Sequence, residues 1–151
     1  MAIALALHVL SVVIWVGGMF FAYMALRPVA AQLLEPPLRL QLWSQVFARF
    51  FPWVSLAVVL ILATGLWMIF GFYGGMGQTR PYIHIMMLLG LIMTAIYGHV
   101  FFAPYRRLKQ AVAGQDWAEG GRRLGQIRML IGINLSLGLV VVALATLGRY
   151  L

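Results

Sequence analysis

Residues 3–26 read IALALHVLSVVIWVGGMFFAYMAL and contain no Asp, Glu, Lys or Arg. A helix needs roughly 20 apolar residues to cross the hydrocarbon core of a bilayer, so this stretch predicts a membrane-spanning helix. Three further stretches have the same character, at about 51–72, 82–102 and 129–147. The sequence therefore predicts an all-α fold, an integral membrane four-helix bundle that forms a single transmembrane domain over residues 1–151.

The composition excludes several classes of protein. Hydrophobic residues make up 64% of the 151 residues and charged residues only 9%, whereas soluble domains have about 25% charged residues. We therefore exclude a soluble monomer, an intrinsically disordered chain and a nucleic-acid partner, despite the formal net charge of +8. The chain has no cysteine, which excludes a disulfide scaffold, a thiolate zinc site, an iron–sulfur cluster and a cysteine nucleophile.

The basic residues lie almost entirely in two of the segments that connect the spans. Only Arg80 and Arg149 lie on the other side. Basic residues near span ends stay cytoplasmic, which predicts that both termini are periplasmic and that the protein is a multi-pass protein of the bacterial inner membrane. The bilayer, with its anionic headgroups, is the expected partner of these residues. The nine basic residues in the two connecting segments are Arg27, Arg39, Arg49, Arg106, Arg107, Lys109, Arg122, Arg123 and Arg128.

The first basic segment, at about 38–50, is expected to be an amphipathic helix. It follows a break at Glu35-Pro36-Pro37, and apolar residues recur in it at helical spacing. Such a helix either lies on the membrane surface or extends the second span below Pro52.

The second basic segment, at about 104–128, is expected to contain two helical pieces. The first continues the third span to about Ala113, where Gly114 breaks it. Asp116 with Glu119 three residues later is typical of a capping box, and it predicts a new helix that leads into the fourth span.

Two of the three histidines lie inside predicted spans at a similar depth. His8 is near the start of the first span and His84 near the start of the third. Polar side chains inside a membrane mark functional sites by default. If these two helices face each other, the imidazoles converge, and a pair of imidazoles from separate helices is a usual way to hold a haem iron. Neutral imidazole also suits copper, so haem b and copper are alternatives.

Five other residues are candidates for roles near such a site. Trp15 lies on the helical stripe of the first histidine, and Gly18 follows close behind it; both would line a cofactor pocket or serve helix packing. Arg80 and Arg149 lie just outside the level of the histidines, where a guanidinium group pairs with haem propionates or extends to the headgroups. His99, near the other end of the third span, could bind a second cofactor, relay protons or be an interfacial residue.

No carboxylate lies within a predicted span, and the chain has no nucleophile–base arrangement, phosphate-binding loop or dinucleotide fingerprint. Any chemistry therefore depends on a bound cofactor and consists of the transfer of electrons or protons. For such chemistry we expect a redox partner or a quinone. A second copy of the chain is a further expected partner. A structural or assembly subunit with incidental histidines is the third class of function.

The stretch from His8 to Met19 resembles the first helix of two related membrane families, the copper resistance protein D (CopD) family and the HemJ-type protoporphyrinogen oxidases. The likeness continues through 49–52, 63–66, 82–86 and 97–108 into the fourth span. The HemJ-type resemblance implies haem b binding by His8 and an electron-transfer or oxidase-type role.

The CopD resemblance implies periplasmic copper handling instead. Met76, Met86 and Met87 lie near His84 in the sequence, and thioethers suit Cu(I). HemJ-type proteins usually have a lysine two positions after the third-helix histidine, where this chain has Met86. The resemblance therefore leaves a protoporphyrinogen oxidase activity open.

Overall fold

The computed structural model of the protein describes residues 1–150, and nearly all of them are helical. Four helices are long and apolar enough to cross a membrane, which confirms the predicted fold class. The chain is a multi-pass membrane protein. We number its helices α1 (Ala2–Leu33), α2 (Pro36–Phe72), α3 (Pro81–Phe102), α4 (Pro104–Ala113) and α5 (Trp117–Leu147).

The first two helices are longer than the apolar stretches that predicted them. A π-helical turn, Ala22–Leu26, forms the end of the first apolar stretch, and the α-helical segment Arg27–Leu33 continues α1 beyond it. Pro36 begins α2, in keeping with the preference of proline for the first turn of a helix. This helix passes through Pro52 without a break. The first basic segment is therefore an extension of the second span, which was one of the two predicted arrangements.

The second basic segment consists of α4 and the first turns of α5. Tyr105 and Leu108 on α4 are buried, whereas its basic residues are exposed. The Asp116 carboxylate accepts a hydrogen bond from the backbone N–H of Glu119 at 3.2 Å, which confirms the predicted start of α5. The Glu119 carboxylate does not close the capping box, because it pairs with two arginines of its own helix instead.

The four membrane-spanning helices pack mainly in two pairs, α1 against α2 and α3 against α5, and the short helix α4 packs mainly on α5. Where they cross, glycines allow close approach, as is usual for helices in membranes. The ring of Phe50 on α2 lies against Gly18 on α1, and Val16 on α1 lies against Gly138 on α5. The interior is thus shared by all four spans, although most apolar side chains on their outer faces are exposed to the surroundings.

An aromatic cluster joins α2 to α3 and α4. Phe51 stacks on Phe47 at a centroid distance of 4.9 Å and meets Tyr105 edge-on at 4.8 Å. Tyr97 lies edge-on to Phe51 at 5.6 Å and connects the cluster to Trp15 on α1 at 6.1 Å. Because aromatic pairs in these geometries attract beyond simple burial, the cluster fixes the position of α4 against the end of the bundle.

The Tyr97 hydroxyl makes the main polar link between α2 and α3. It donates to the carbonyl oxygen of Phe51 at 3.0 Å and accepts from the Ser55 hydroxyl at 2.7 Å. We expect Tyr97→Phe to lower the free energy of unfolding by about 1 kcal/mol, since the ring stays packed while both hydrogen bonds are lost. Thermal unfolding in detergent measures the change, with Tyr82→Phe as the control. Equal unfolding midpoints for the two variants would contradict this expectation.

Candidate functional site

His8 is half-buried on α1 and bonded to the neighbouring helix. Its Nδ1 atom lies 2.9 Å from the hydroxyl oxygen of Thr64 on α2. That hydroxyl lies 2.5 Å from the carbonyl oxygen of Leu60, and it donates its only hydrogen there. The threonine oxygen therefore accepts the Nδ1–H of His8. A neutral imidazole that carries its hydrogen on Nδ1 has a free lone pair on Nε2.

The residues beside Thr64 leave room for this imidazole. A Cβ atom at Gly65 would lie 3.3 Å from Cε1 of His8, so the ring rests on a helix surface without a side chain. Met68 lies four residues after Thr64 and therefore one turn further along the same face of α2. It is half-buried, like His8.

His84 lies in the first turn of α3 and is exposed. Its Nε2 atom is 2.6 Å from the hydroxyl oxygen of Thr79 and 2.9 Å from the carbonyl oxygen of Met76. The Thr79 hydroxyl itself donates to the Met76 carbonyl at 2.8 Å. Both neighbours of Nε2 are therefore acceptors, so Nε2 carries the hydrogen. The lone pair of His84 is then free on Nδ1.

Both histidines lie at one end of the bundle, as the sequence predicts. At a rise of 1.5 Å per residue, His8 is about 9 Å from the start of α1 and His84 about 5 Å from the start of α3. Their hydrogen-bond partners differ, however: His8 bonds to Thr64 on α2, whereas His84 bonds to Met76 and Thr79 in the segment that precedes α3. α1 and α3 are not one of the main packing pairs of this bundle. The two histidines are therefore not brought face to face by helix packing.

Trp15 and Gly18 take part in helix packing. Trp15 is buried with its ring edge against Tyr97, and the Phe50 ring lies over Gly18. These packing contacts account for the large side chain at Trp15 and for the absence of one at Gly18. Their role beside a cofactor stays a prediction.

Arg80 and Arg149 meet at the same end as the histidines. The Arg80 guanidinium donates to the carbonyl oxygen of Arg149 at 3.1 Å, and the Arg149 guanidinium lies over the ring of Tyr150 at 4.9 Å. Both arginines are exposed. Their pairing with propionates stays a prediction.

The remaining candidates are less organised. His99 is exposed near the other end of α3, and Met86 and Met87 are half-buried in the first half of that helix. Across residues 1–150, no three His, Asp or Glu side chains form a group that could hold a metal ion by themselves. Any metal at this end of the bundle would therefore also need thioether, backbone or exogenous ligands.

Sequence reasoning missed the two threonines that orient the histidines. Thr64 lies between Ala63 and Gly65 in an apolar span, where a hydroxyl flanked by small residues is a usable signal. Thr79 precedes the first turn of α3 and gives no comparable signal, since a hydroxyl in a turn commonly bonds to nearby backbone.

The comparison with protein families finds one match. The family model described as copper resistance protein D matches residues 44–147, which is more than half of the chain and includes Thr64, His84 and His99. No curated protein matches the chain, and neither does any solved structure. From the extent of the family match, the chain belongs to the copper resistance protein D family.

Proposed function

We propose that the protein binds copper as its cargo at the end of the bundle that carries His8 and His84. One observation carries the proposal: each imidazole has one nitrogen held by oxygen acceptors and the other nitrogen free. Metal-binding histidines almost always have this arrangement, because the held N–H fixes both the tautomer and the orientation of the ring. Membership of the copper resistance family supports copper as the metal.

The other groups at this end favour a soft metal over a hard one. The chain has three acidic side chains, and they are Glu35, Asp116 and Glu119, all at the opposite end of the bundle. Mg²⁺ and Ca²⁺ prefer carboxylate and other oxygen ligands, whereas Cu(I) accepts imidazole and thioether. The donors available near the histidines are therefore those that copper uses.

Two positions along this end supply such donors. His84 is exposed, so this position is accessible from outside the bundle. Met76 contacts His84 through its carbonyl oxygen. Met87 lies one turn after His84 on α3. His8 lies deeper and half-buried, and Met68 follows Thr64 on the facing helix. We propose that His84 with Met76 or Met87 captures the ion and that His8 with Met68 holds it within the membrane.

The charge distribution supports a periplasmic position for this site. Nine of the 11 basic residues lie at the opposite end of the bundle. The positive-inside rule therefore supports an inner-membrane protein whose histidine end faces the periplasm.

Titration of the purified, metal-free protein with Cu(I), in competition with a chromophoric chelator, tests the proposal. We expect stoichiometric copper binding by the wild-type protein and an affinity at least about tenfold lower for His84→Ala, because a ligand is lost. His99→Ala is the matched control, since His99 is an exposed histidine of the same helix at the other end. A protein that binds no copper, or equal losses in both variants, would refute the proposal.

Haem b with an electron-transfer or oxidase-type role is the second proposal. The same free nitrogens support it, and so do Arg80 and Arg149 beside them. It requires α1 and α3 to present both imidazoles to one iron, and it requires a redox partner or quinone. A visible spectrum after haem-supplied expression decides between the two. A six-coordinate b haem spectrum that is lost in both His8→Ala and His84→Ala, in a protein free of copper, would replace the copper proposal.

A further inference from the structure

A cavity of about 200 Å³ lies at the opposite end of the bundle from His8 and His84. Its walls come from the second half of α1, the extension of α2 and the start of α5. Leu40 and Ile127 at its base are buried, whereas Ala31 and Gly121 at its rim are exposed. The cavity is therefore open to the surface, and none of the histidines lines it.

Three arginines line this cavity without a carboxylate among its walls. Arg27 donates to the carbonyl oxygen of Tyr23 at 3.2 Å, and Arg39 donates to that of Leu34 at 3.0 Å. The Arg27 guanidinium also lies over the Tyr23 ring at 4.4 Å. None of these partners is an anion, so neither guanidinium is paired with a carboxylate. Arg128, the third, has neither an ion pair nor a side-chain hydrogen bond among residues 1–150.

The acidic residues nearest in the sequence do not neutralise these arginines. Glu119 pairs with Arg122 and Arg123, which do not line the cavity. Glu35 immediately precedes α2, four residues before Arg39, but it makes no ion pair with it. A group of cations gathered around a cavity without an anion favours an anionic ligand, and guanidinium groups bind phosphate in particular.

The other wall of the cavity is apolar. Trp43, Phe47, Trp117 and Ile131 line it, and the first two are buried. Pockets that enclose a whole small-molecule ligand usually measure about 300–1,000 Å³. The smaller volume here suits the polar part of a ligand, while an apolar part would extend along the outside of the bundle.

The arginines also lie at the level of a headgroup. Arg27 is the first charged residue after the first apolar stretch, and Arg128 is the last one before the fourth. Residues at such positions lie where the hydrocarbon ends. Basic pockets between membrane helices on the cytoplasmic side are known to bind anionic headgroups. We propose that this cavity is a specific binding site for the phosphate of an anionic phospholipid, whose acyl chains lie against the bundle.

Native mass spectrometry of the purified full chain, mixed with equal amounts of phosphatidylglycerol and phosphatidylcholine, tests the site. We expect one retained phosphatidylglycerol and an affinity about tenfold lower in Arg128→Gln, because one charge-assisted hydrogen bond is lost. Arg128→Gln removes no hydrogen bond within the described residues, so we expect the variant to fold like the wild-type protein. Arg106→Gln is the control, since Arg106 is exposed on α4 at the same end and outside the cavity.

Three results would overturn the proposal. Equal retention of phosphatidylcholine would show that the negative charge is not recognised. An equal loss in Arg106→Gln would assign the binding to general surface charge. Displacement of the lipid by inorganic phosphate at a similar concentration would make the cavity a site for free phosphate and not for a lipid.

Discussion

Replacing His8 with alanine is expected to lower the affinity of the protein for Cu(I) by more than about 100-fold, since the loss of an outer-shell partner alone costs 10–100-fold. His8 is half-buried between α1 and α2 and leaves Nε2 free, so it is the deeper of the two proposed ligands. Copper competition against a chelator measures the loss. The unfolding midpoint of the metal-free variant shows whether the bundle is intact.

Thr64 provides the sharper test of the same site. The threonine holds the Nδ1–H of His8 and makes no other contribution to the proposed donor set. We therefore expect Thr64→Val, which keeps the shape of the side chain, to lower the affinity for copper by about 10–100-fold. Thr64→Ser restores the hydroxyl and should restore the affinity. Wild-type affinity in Thr64→Val would contradict the role of the tautomer.

The four spans and the start of α5 could be predicted because they depend on local sequence. Apolar length alone identifies the spans. Asp116 and Glu119 lie three residues apart, so the start of α5 depends on a single helical turn. The position of Arg80 beside Arg149 follows from the even number of spans, which brings the start of α3 and the end of α5 to one side.

The pairing of the helices could not be predicted in the same way. In a membrane, the residues that face lipid and the residues that face another helix are both apolar, so hydropathy does not show which face is buried. His8 consequently meets Thr64 on α2, although its depth matches that of His84 on α3. The same limit applies at the basic end, where Arg27, Arg39 and Arg128 converge on one cavity from three helices.

Glycine positions carry the missing information, because only some of them lie where helices touch. A Cβ atom at Gly138 on α5 would lie 2.9 Å from Cγ2 of Val16 on α1 and 3.2 Å from Cε of Met93 on α3. Gly138 is buried at the point where three of the four spans approach one another. Gly17 on α1 is exposed, and a Cβ atom there would have no neighbour within 4 Å.

Gly138→Leu is expected to destabilise the bundle by about 3 kcal/mol, the upper part of the usual range for overpacking. Val16 cannot move aside easily, since a β-branched side chain in a helix is largely restricted to one rotamer. α5 must therefore shift away from α1 and α3. Gly17→Leu adds the same side chain in open space, and better helix propensity should leave stability unchanged or slightly higher. Thermal unfolding of both variants in one detergent compares them, and similar midpoints would show that α5 does not approach α1 and α3 as closely as Gly138 requires.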